Sequence, residues 1–236
     1  MKNIDIITLF PEIIEGYILS QPFAKNISPE VNIEPHQLRD FSPYKHRQVD
    51  DKQYGTDPGM VLMPEPLSNA VDFIEKKRKS NCYKILLSPQ GKLIDSELIN
   101  NIYKKPNLIF VCGRYEGVDE RFIEEKIDLE ISIGDFVLSG GELPALLILE
   151  AMSRLSPGFL GNEKSLLNDS FGNNFKSSLK GPVYTKPNDY KGRKVPEVLL
   201  SGDHKKILEW RKEISTARTK KKKRWPYKLN LKPIPL

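Results

Sequence analysis

The 236-residue sequence predicts an α/β protein, with a mostly parallel sheet domain over residues 1–160, a flexible linker over 161–182 and a small, basic, helical unit over 183–236. Three observations predict it. Strand-like apolar runs alternate with helical patterns through the first 160 residues, and runs without polar alternation read as parallel strands buried on both faces. Residues 161–182 turn to Asn, Ser, Gly and Lys with little periodicity, the composition of a linker or mobile loop. From residue 191 onward there are 15 Lys and Arg against 4 Asp and Glu, a net of +11, while the residues before it carry a net of −5.

Each element has a local reason. Ile4–Phe10 (IDIITLF) is rich in β-branched residues and stops at Pro11. PEIIEGYIL then reads as a helix, because proline is accepted at a helix start. Tyr83–Ser88 is a continuous apolar strand closed by Pro89 and Gly91. In DSELINNIYKK, Asp95 serves as a cap and Leu98, Ile99 and Ile102 follow helical spacing. Asn107–Gly113 is another buried strand, Asp119–Ile127 a charged helix, and Leu129–Gly134 a short alternating strand. Phe136–Ser139 is a candidate for one more strand. The helix over Gly141–Leu155 is apolar nearly all round, so it is buried in a core or in a subunit interface, and a homodimer is expected. After the linker, VPEVLLSG reads as extended. A basic helix follows, capped by Ser201 or Asp203, with Ile207, Trp210 and Ile214 on one face and the run Lys220–Arg224 near its end.

Composition narrows the function. With 39% hydrophobic and 29% charged residues, the chain is a soluble globular type. Apolar runs reach only five residues, as at Ala145–Leu149, far short of the roughly 20 a membrane helix needs. Asp5 and Glu12 interrupt the N-terminal apolar stretch, so no secretory leader is expected. Cys82 and Cys112 sit in apolar, strand-like sequence and read as reduced thiols in a cytoplasmic protein. The basic end points to a polyanion, most often nucleic acid, against the plainer reading of a solvated lysine tail. P-loop and Rossmann fingerprints are absent, as are a nucleophile elbow and a histidine–cysteine metal cluster.

What stands out instead is three glycine-bearing turns, each after a strand: Ser88–Gly91, Cys112–Gly117 and Ile133–Ala145. Singly, each is also an ordinary tight turn. Together, at neighbouring strand ends, they form a pocket that reads its ligand by main chain, which suits an adenine edge.

The segments LFPE (Leu9–Glu12), HRQVDD (His46–Asp51), YGTDPGM (Tyr54–Met60), LSPQG, CGRYEGVDER (Cys112–Arg121), SIGDFVLSGGELPA and NDSF (Asn168–Phe171) follow in order. This set closely resembles the bacterial tRNA (guanine-N1)-methyltransferases, the TrmD family, from residue 1 to about 218. The resemblance implies a SPOUT fold with a trefoil knot at the cofactor site. It implies S-adenosylmethionine as cofactor, with Leu87 and Pro89, Gly113 and Tyr115, then Ile133, Gly134, Asp135, Phe136, Val137, Leu138, Gly140, Gly141 and Pro144 around it. It implies a tRNA partner, a homodimer with the active site at the subunit interface, and methylation of N1 of the guanosine just 3′ of the anticodon.

N1 of guanine carries a proton at neutral pH, so a base must remove it while a cation offsets the charge developing at O6. The resemblance assigns Asp169 as the base and Arg154 as the O6 partner. On the residues alone, Asp169 also reads as a solvated linker residue or a cap, and Arg154 as an i,i+4 partner of Glu150. Glu116 is assigned near the methionine end or a Mg²⁺ ion, on which the family's activity depends; it also reads as an exposed loop charge. Asp50 and Gly59 fall on the guanosine side, and Asp50 also reads as a turn cap. Lys220, Lys221, Lys222, Lys223 and Arg224 are the expected contacts to the tRNA backbone. Departures from the family are Thr56 and Asp57 where glycines are usual, Phe136 where tyrosine is common, and Asn168 where an acid is frequent. Two other readings remain: a knotted methyltransferase of another RNA nucleoside or a ribose hydroxyl, and a non-catalytic RNA binder with a vestigial pocket.

Overall fold

A computed structural model of the chain describes residues 2–21, 23–55, 58–156, 159, 169–171 and 178–223, and for 222 and 223 the backbone alone. Thr56, Asp57, Asn168, Arg224 and most of the expected linker lie outside the described residues. The chain divides into two compact units, residues 1–161 and 162–236. No helix among the described residues is long and apolar enough to cross a membrane.

The first unit is built on a five-stranded sheet of β1 (Lys2–Thr8), β2 (Val31–Gln37), β5 (Tyr83–Leu93), β6 (Asn107–Cys112) and β7 (Leu129–Ser132). Its order is β2-β1-β6-β5-β7, and every neighbouring pair is parallel. A small antiparallel pair, β3 (Asp50–Lys52) and β4 (Met60–Leu62), stands beside it. Side chains along each central strand alternate between two cores. Ile4, Ile6, Ile85, Leu87, Leu108 and Phe110 face one side, with α1 (Pro11–Ile18), α4 (Ser96–Tyr103) and α6 (Glu142–Ser153). Ile7, Leu86, Ile109 and Val111 face the other, with α3 (Pro64–Arg78) and α5 (Glu120–Lys126). Burial on both faces is why these strands lack polar alternation. The start of α4 is set by Asp95, whose Oδ1 accepts the Leu98 N–H at 2.8 Å, a cap worth about 1 kcal/mol.

One charged group is built into the second core. Asp5 is fully buried, with His36 Nε2 at 2.7 Å and a two-pronged Arg78 donating to both of its oxygens at 2.7 and 2.9 Å. Burial pushes its pKa up, but these hydrogen bonds and the two neighbouring charges outweigh burial and hold the carboxyl below its ordinary range. Both cysteines are free and buried. Burial first, then nearby carboxylates, pushes Cys82 up to about 11 and Cys112 well above a normal thiol, so neither is a ready nucleophile.

The structure corrects three local expectations. Ser88–Gly91 is not a turn closing a strand: it lies inside β5, where the chain leaves the β7 ladder at Leu87 and rejoins it at Lys92, both opposite Ile131. Phe136–Ser139 is not a strand, because Gly134 (φ +154°) bends the chain and the Phe136 N–H is taken by the Gly134 carbonyl at 2.9 Å. Within the stretch read as extended, Glu197–Leu200 is a short helix, α7.

In the second unit, a hairpin of β8 (Asp189–Tyr190) and β9 (Arg193–Lys194) precedes α7 and the long helix α8 (His204–Lys223). Asp203 caps α8, its Oδ1 accepting the Lys205 and Lys206 N–H groups at 3.1 Å. Ile207, Trp210 and Ile214 are half-buried on one side of α8, with Ser215 buried beside them.

Candidate active site

At the carboxyl ends of β6 and β7, and beside the excursion that interrupts β5 between them, lies a cavity of about 350 Å³. Its wall is made by the β5 excursion at Ser88–Gln90, the loop Gly113–Val118 after β6, and the loop Ile133–Gly141 after β7. Leu87, Pro89, Gly113, Tyr115, Ile133, Gly134, Phe136, Val137, Leu138, Gly140, Gly141 and Pro144 all line it, whereas Asp135 does not. Gln90, Arg114, Ser132 and Ser139 also line it, and the sequence reading gave them no role.

The three segments are locked to each other. The Gly141 N–H donates to the Gly113 carbonyl at 3.0 Å, and Arg114 and Gly140 form an antiparallel bridge. A Cβ on Gly141 would lie 2.6 Å from the Cys112 Cα, so strand β6 and the start of α6 touch only because position 141 is bare. The middle loop turns tightly, with the Gly117 N–H donating to the Arg114 carbonyl at 3.1 Å. Tyr115 is held there at φ +60°, a left-handed conformation that costs a non-glycine residue energy. The third loop closes on itself: Ser132 Oγ donates to the Gly134 carbonyl at 3.1 Å, and the Phe136 ring packs over Gly134.

The middle loop is also tied to the β3–β4 pair. The Glu116 N–H donates to the Met60 carbonyl at 3.0 Å, and the Leu62 N–H to the Gly117 carbonyl at 3.0 Å. The Glu116 side chain lies so close to Gly59 (φ +134°) that a Cβ there would fall 2.3 Å from the Glu116 Cγ. Asp50, half-buried, opens β3 opposite Leu62. The fold thus seats Glu116, on the cavity wall, against Gly59, while Asp50 belongs to the same hairpin; neither Gly59 nor Asp50 lines the cavity.

Arg154 follows the last turn of α6, half-buried, its N–H donating to the Glu150 carbonyl at 3.2 Å. Glu150 itself accepts from the Tyr17 hydroxyl at 2.7 Å, and burial and this carboxylate push the tyrosine up to about 12. Asp169 belongs to the second unit, partly buried, its Oδ1 accepting the Ser170 N–H at 3.0 Å. The adjoining residues are braced against α8: the Lys180 N–H donates to Ser170 Oγ at 3.0 Å, and the Leu179 N–H to Thr219 Oγ1 at 2.9 Å. Lys220 and Lys221 are exposed near the end of α8; the side chains of Lys222 and Lys223, and all of Arg224, lie outside the described residues.

At the cavity wall, half-buried Arg114 and buried Glu142 form a charge pair; each stands in one of the motifs, but neither motif announces the contact. Glu142, 2% exposed, accepts from Thr8 Oγ1 at 2.7 Å and pairs with Arg114, whose Nη2 lies at 3.0 Å. The available signal was a carboxylate in the first turn of an otherwise apolar helix, a place where acids are common for the helix dipole alone.

Carboxylates do not gather at the cavity as a ready metal cage. Glu116, Glu120 and Glu130 reach its wall. Among the described residues, the one group of three possible metal ligands is Asp5, Glu34 and His36, which is occupied by Arg78.

An α/β fold with a glycine-rich pocket beside adjacent parallel strands is the arrangement of a small-molecule-binding protein. The family model of the tRNA (guanine-1)-methyltransferase TrmD matches residues 1–228. Among similar curated proteins is a tRNA (guanine-N(1)-)-methyltransferase of Bacillus subtilis, 46% identical, covering 92% of this chain and 88% of the relative. Another is that of Desulforudis audaxviator, 45% identical, with 92% and 86% covered. Among solved structures, the tRNA (m1G37) methyltransferase from Aquifex aeolicus is 39% identical with a TM-score of 0.74, over 94% of this chain and 93% of that one. The chain belongs to the TrmD family of tRNA (guanine-N1)-methyltransferases.

Proposed function

We propose that this chain transfers the methyl group of S-adenosylmethionine to N1 of the guanosine immediately 3′ of a tRNA anticodon. The observation that carries the reading is the three-walled cavity beside β6, β5 and β7, in a chain whose family match spans residues 1–228. The cofactor fits what lines the cavity: bare backbone at Gly113, Gly140 and Gly141, and a volume of about 350 Å³. Leu87, Pro89, Tyr115 and the Ile133–Leu138 loop would hold it, and when bound it supplies an activated methyl on a sulfonium. The family's knotted threading of the backbone belongs to the same reading.

Asp169 takes the N1 proton onto its carboxylate. Aspartate is a weak base, with an unperturbed value of about 3.9, so proton removal needs a cation at O6. Arg154 supplies it by offsetting the charge that appears there. Asp50 and Gly59 shape the guanosine side. Lys220, Lys221, Lys222, Lys223 and Arg224 neutralise tRNA phosphates. Magnesium keeps most of its water and accepts one or two carboxylates, which suits Glu116 without a dedicated cage. A second copy of the chain covers the open face of α6, where Leu143 and Leu147 stand 61% and 47% exposed, one turn apart. That copy completes the site at the subunit interface.

The test is the identity of the product. Labelled S-adenosylmethionine and tRNA are incubated with the protein, and the RNA is digested to nucleosides. Label only in 1-methylguanosine supports the reading. Label in a ribose-methylated nucleoside or another base would move the chain to a different RNA methylation. No cofactor binding by calorimetry would leave a non-catalytic RNA binder.

A further inference from the structure

We propose that Glu142 and Thr8 are positioning residues for the cofactor loop, acting through Arg114. The inference rests on the cofactor pocket proposed above and adds to it a device that runs from the cavity wall at Arg114 back to Glu142 and Thr8. Thr8 ends β1, Arg114 opens the turn after β6, and Glu142 opens α6. These three segments are far apart in the chain and meet at one carboxylate. Glu142 Oε1 accepts from Thr8 Oγ1 at 2.7 Å; Oε2 accepts from Arg114 Nε at 3.1 Å, and Arg114 Nη2 lies 3.0 Å from Oε2 as an ion pair. The Thr8 hydroxyl in turn accepts the Phe10 N–H at 2.9 Å, and the Phe10 ring lies 4.4 Å beneath the Arg114 guanidinium.

Stability alone does not account for this arrangement. A buried ion pair stabilises a fold little, because desolvating two charges offsets their attraction. What it gives is direction, since a planar guanidinium held by two nitrogens on one face-stacked ring has one orientation. The surroundings are arranged to permit it. A Cβ at Gly140 would lie 2.2 Å from Arg114 Nε and 2.6 Å from Glu142 Oε2, so that loop position must stay bare for the pair to form. Arg114 is followed by Tyr115, held at φ +60° on the cavity wall, and by Glu116, seated against Gly59. Fixing Arg114 therefore fixes Tyr115 on the cavity wall, while Glu116 is held separately by Met60 and Gly59.

The experiment compares Thr8→Val, Thr8→Ser and Arg114→Lys by calorimetry with S-adenosylmethionine and by steady-state methyl transfer. Arg114→Lys keeps the charge and loses the fork. A displacement of about 1 Å at the turn is expected to weaken cofactor binding by roughly tenfold to a hundredfold, raising KM for the cofactor while KM for tRNA stays unchanged. Thr8→Val, nearly isosteric but without the hydroxyl, is expected to shift in the same direction by a smaller factor, and Thr8→Ser to restore the wild-type value. Wild-type cofactor affinity in both Arg114→Lys and Thr8→Val would overturn the proposal, as would a rise in tRNA KM equal to that for the cofactor. If Arg114→Lys does not fold, the Val and Ser pair at position 8 decides alone. Failure of the wild-type protein to bind cofactor at all is a separate outcome, which overturns the pocket assignment and the positioning role with it.

Discussion

A methyl group added at position 140 has nowhere to go except into the Arg114–Glu142 pair. Gly140→Ala is therefore expected to lower cofactor affinity at least tenfold while circular dichroism shows an unchanged fold, since no core apolar contact is lost. Affinity equal to wild type would mean that the pair tolerates displacement. The three segments that wall the cavity were legible in the sequence because each carries glycines and follows an apolar run, while the individual residues expected around a cofactor came with the family resemblance. Asp135 shows the limit of such reading: it lies inside the motif yet off the cavity wall. The roles of Glu142, which stands inside a quoted motif, and of Thr8, which does not, were not legible. Their contact joins residues 134 positions apart, and nothing in either neighbourhood marks it.

Among the elements, α6 carries the most information. Its sequence is apolar round most of its circumference, and the structure divides that surface between a buried face and an open one at Leu143 and Leu147. Phe10 and Ile13 at the neighbouring α1 are also part-exposed, at 37% and 36%. Replacing Leu143 with Lys and Leu147 with Glu is expected to convert a dimer to a monomer in light scattering, with loss of methyl transfer. A dimer that survives both charges would put the interface elsewhere. At the end of α8, replacing Lys220 and Lys221 with Gln is expected to weaken tRNA binding and flatten its salt dependence by roughly 0.7–0.9 log units per lost phosphate contact, with cofactor binding unchanged. Equal tRNA affinity at every salt concentration would remove the helix end from the interface. The α4 cap and the paired cores were readable from spacing alone. The course of β5 was not, because Pro89 and Gly91 have the composition of a strand stop. Only the β7 partner shows that the chain returns to the same ladder, with Leu87 and Lys92 both opposite Ile131.

For the whole molecule, the α/β class followed from alternating patterns, and the concentration of basic residues in the last quarter of the chain followed from simple charge counting. A knotted threading of the backbone is a global property that no local pattern encodes, and the expectation of one came only with the family resemblance. The buried Asp5, His36 and Arg78 group was equally hidden, since its members lie on three separate elements. It makes stability depend on acid. The folded state holds Asp5 below its unfolded pKa, so the unfolded state binds the proton more readily. The contribution is present above the unfolded carboxylate value of about 4 and is lost as pH falls through the lower folded value. Thermal midpoints of wild type and Asp5→Asn are therefore expected to differ most near neutrality and to converge below about pH 4. A gap that stays constant down to pH 3 would mean that Asp5 has the same pKa in the folded and unfolded states, and a gap that changes in the opposite sense would mean that it is protonated in the fold.

The most direct test of the central assignment uses two tRNA transcripts that differ only in the base 3′ of the anticodon, guanosine or adenosine, with labelled S-adenosylmethionine and magnesium. Wild-type protein is expected to label the guanosine transcript alone, and Asp169→Ala to label neither while still binding cofactor. Equal label in both transcripts, or full activity in Asp169→Ala, would contradict the account.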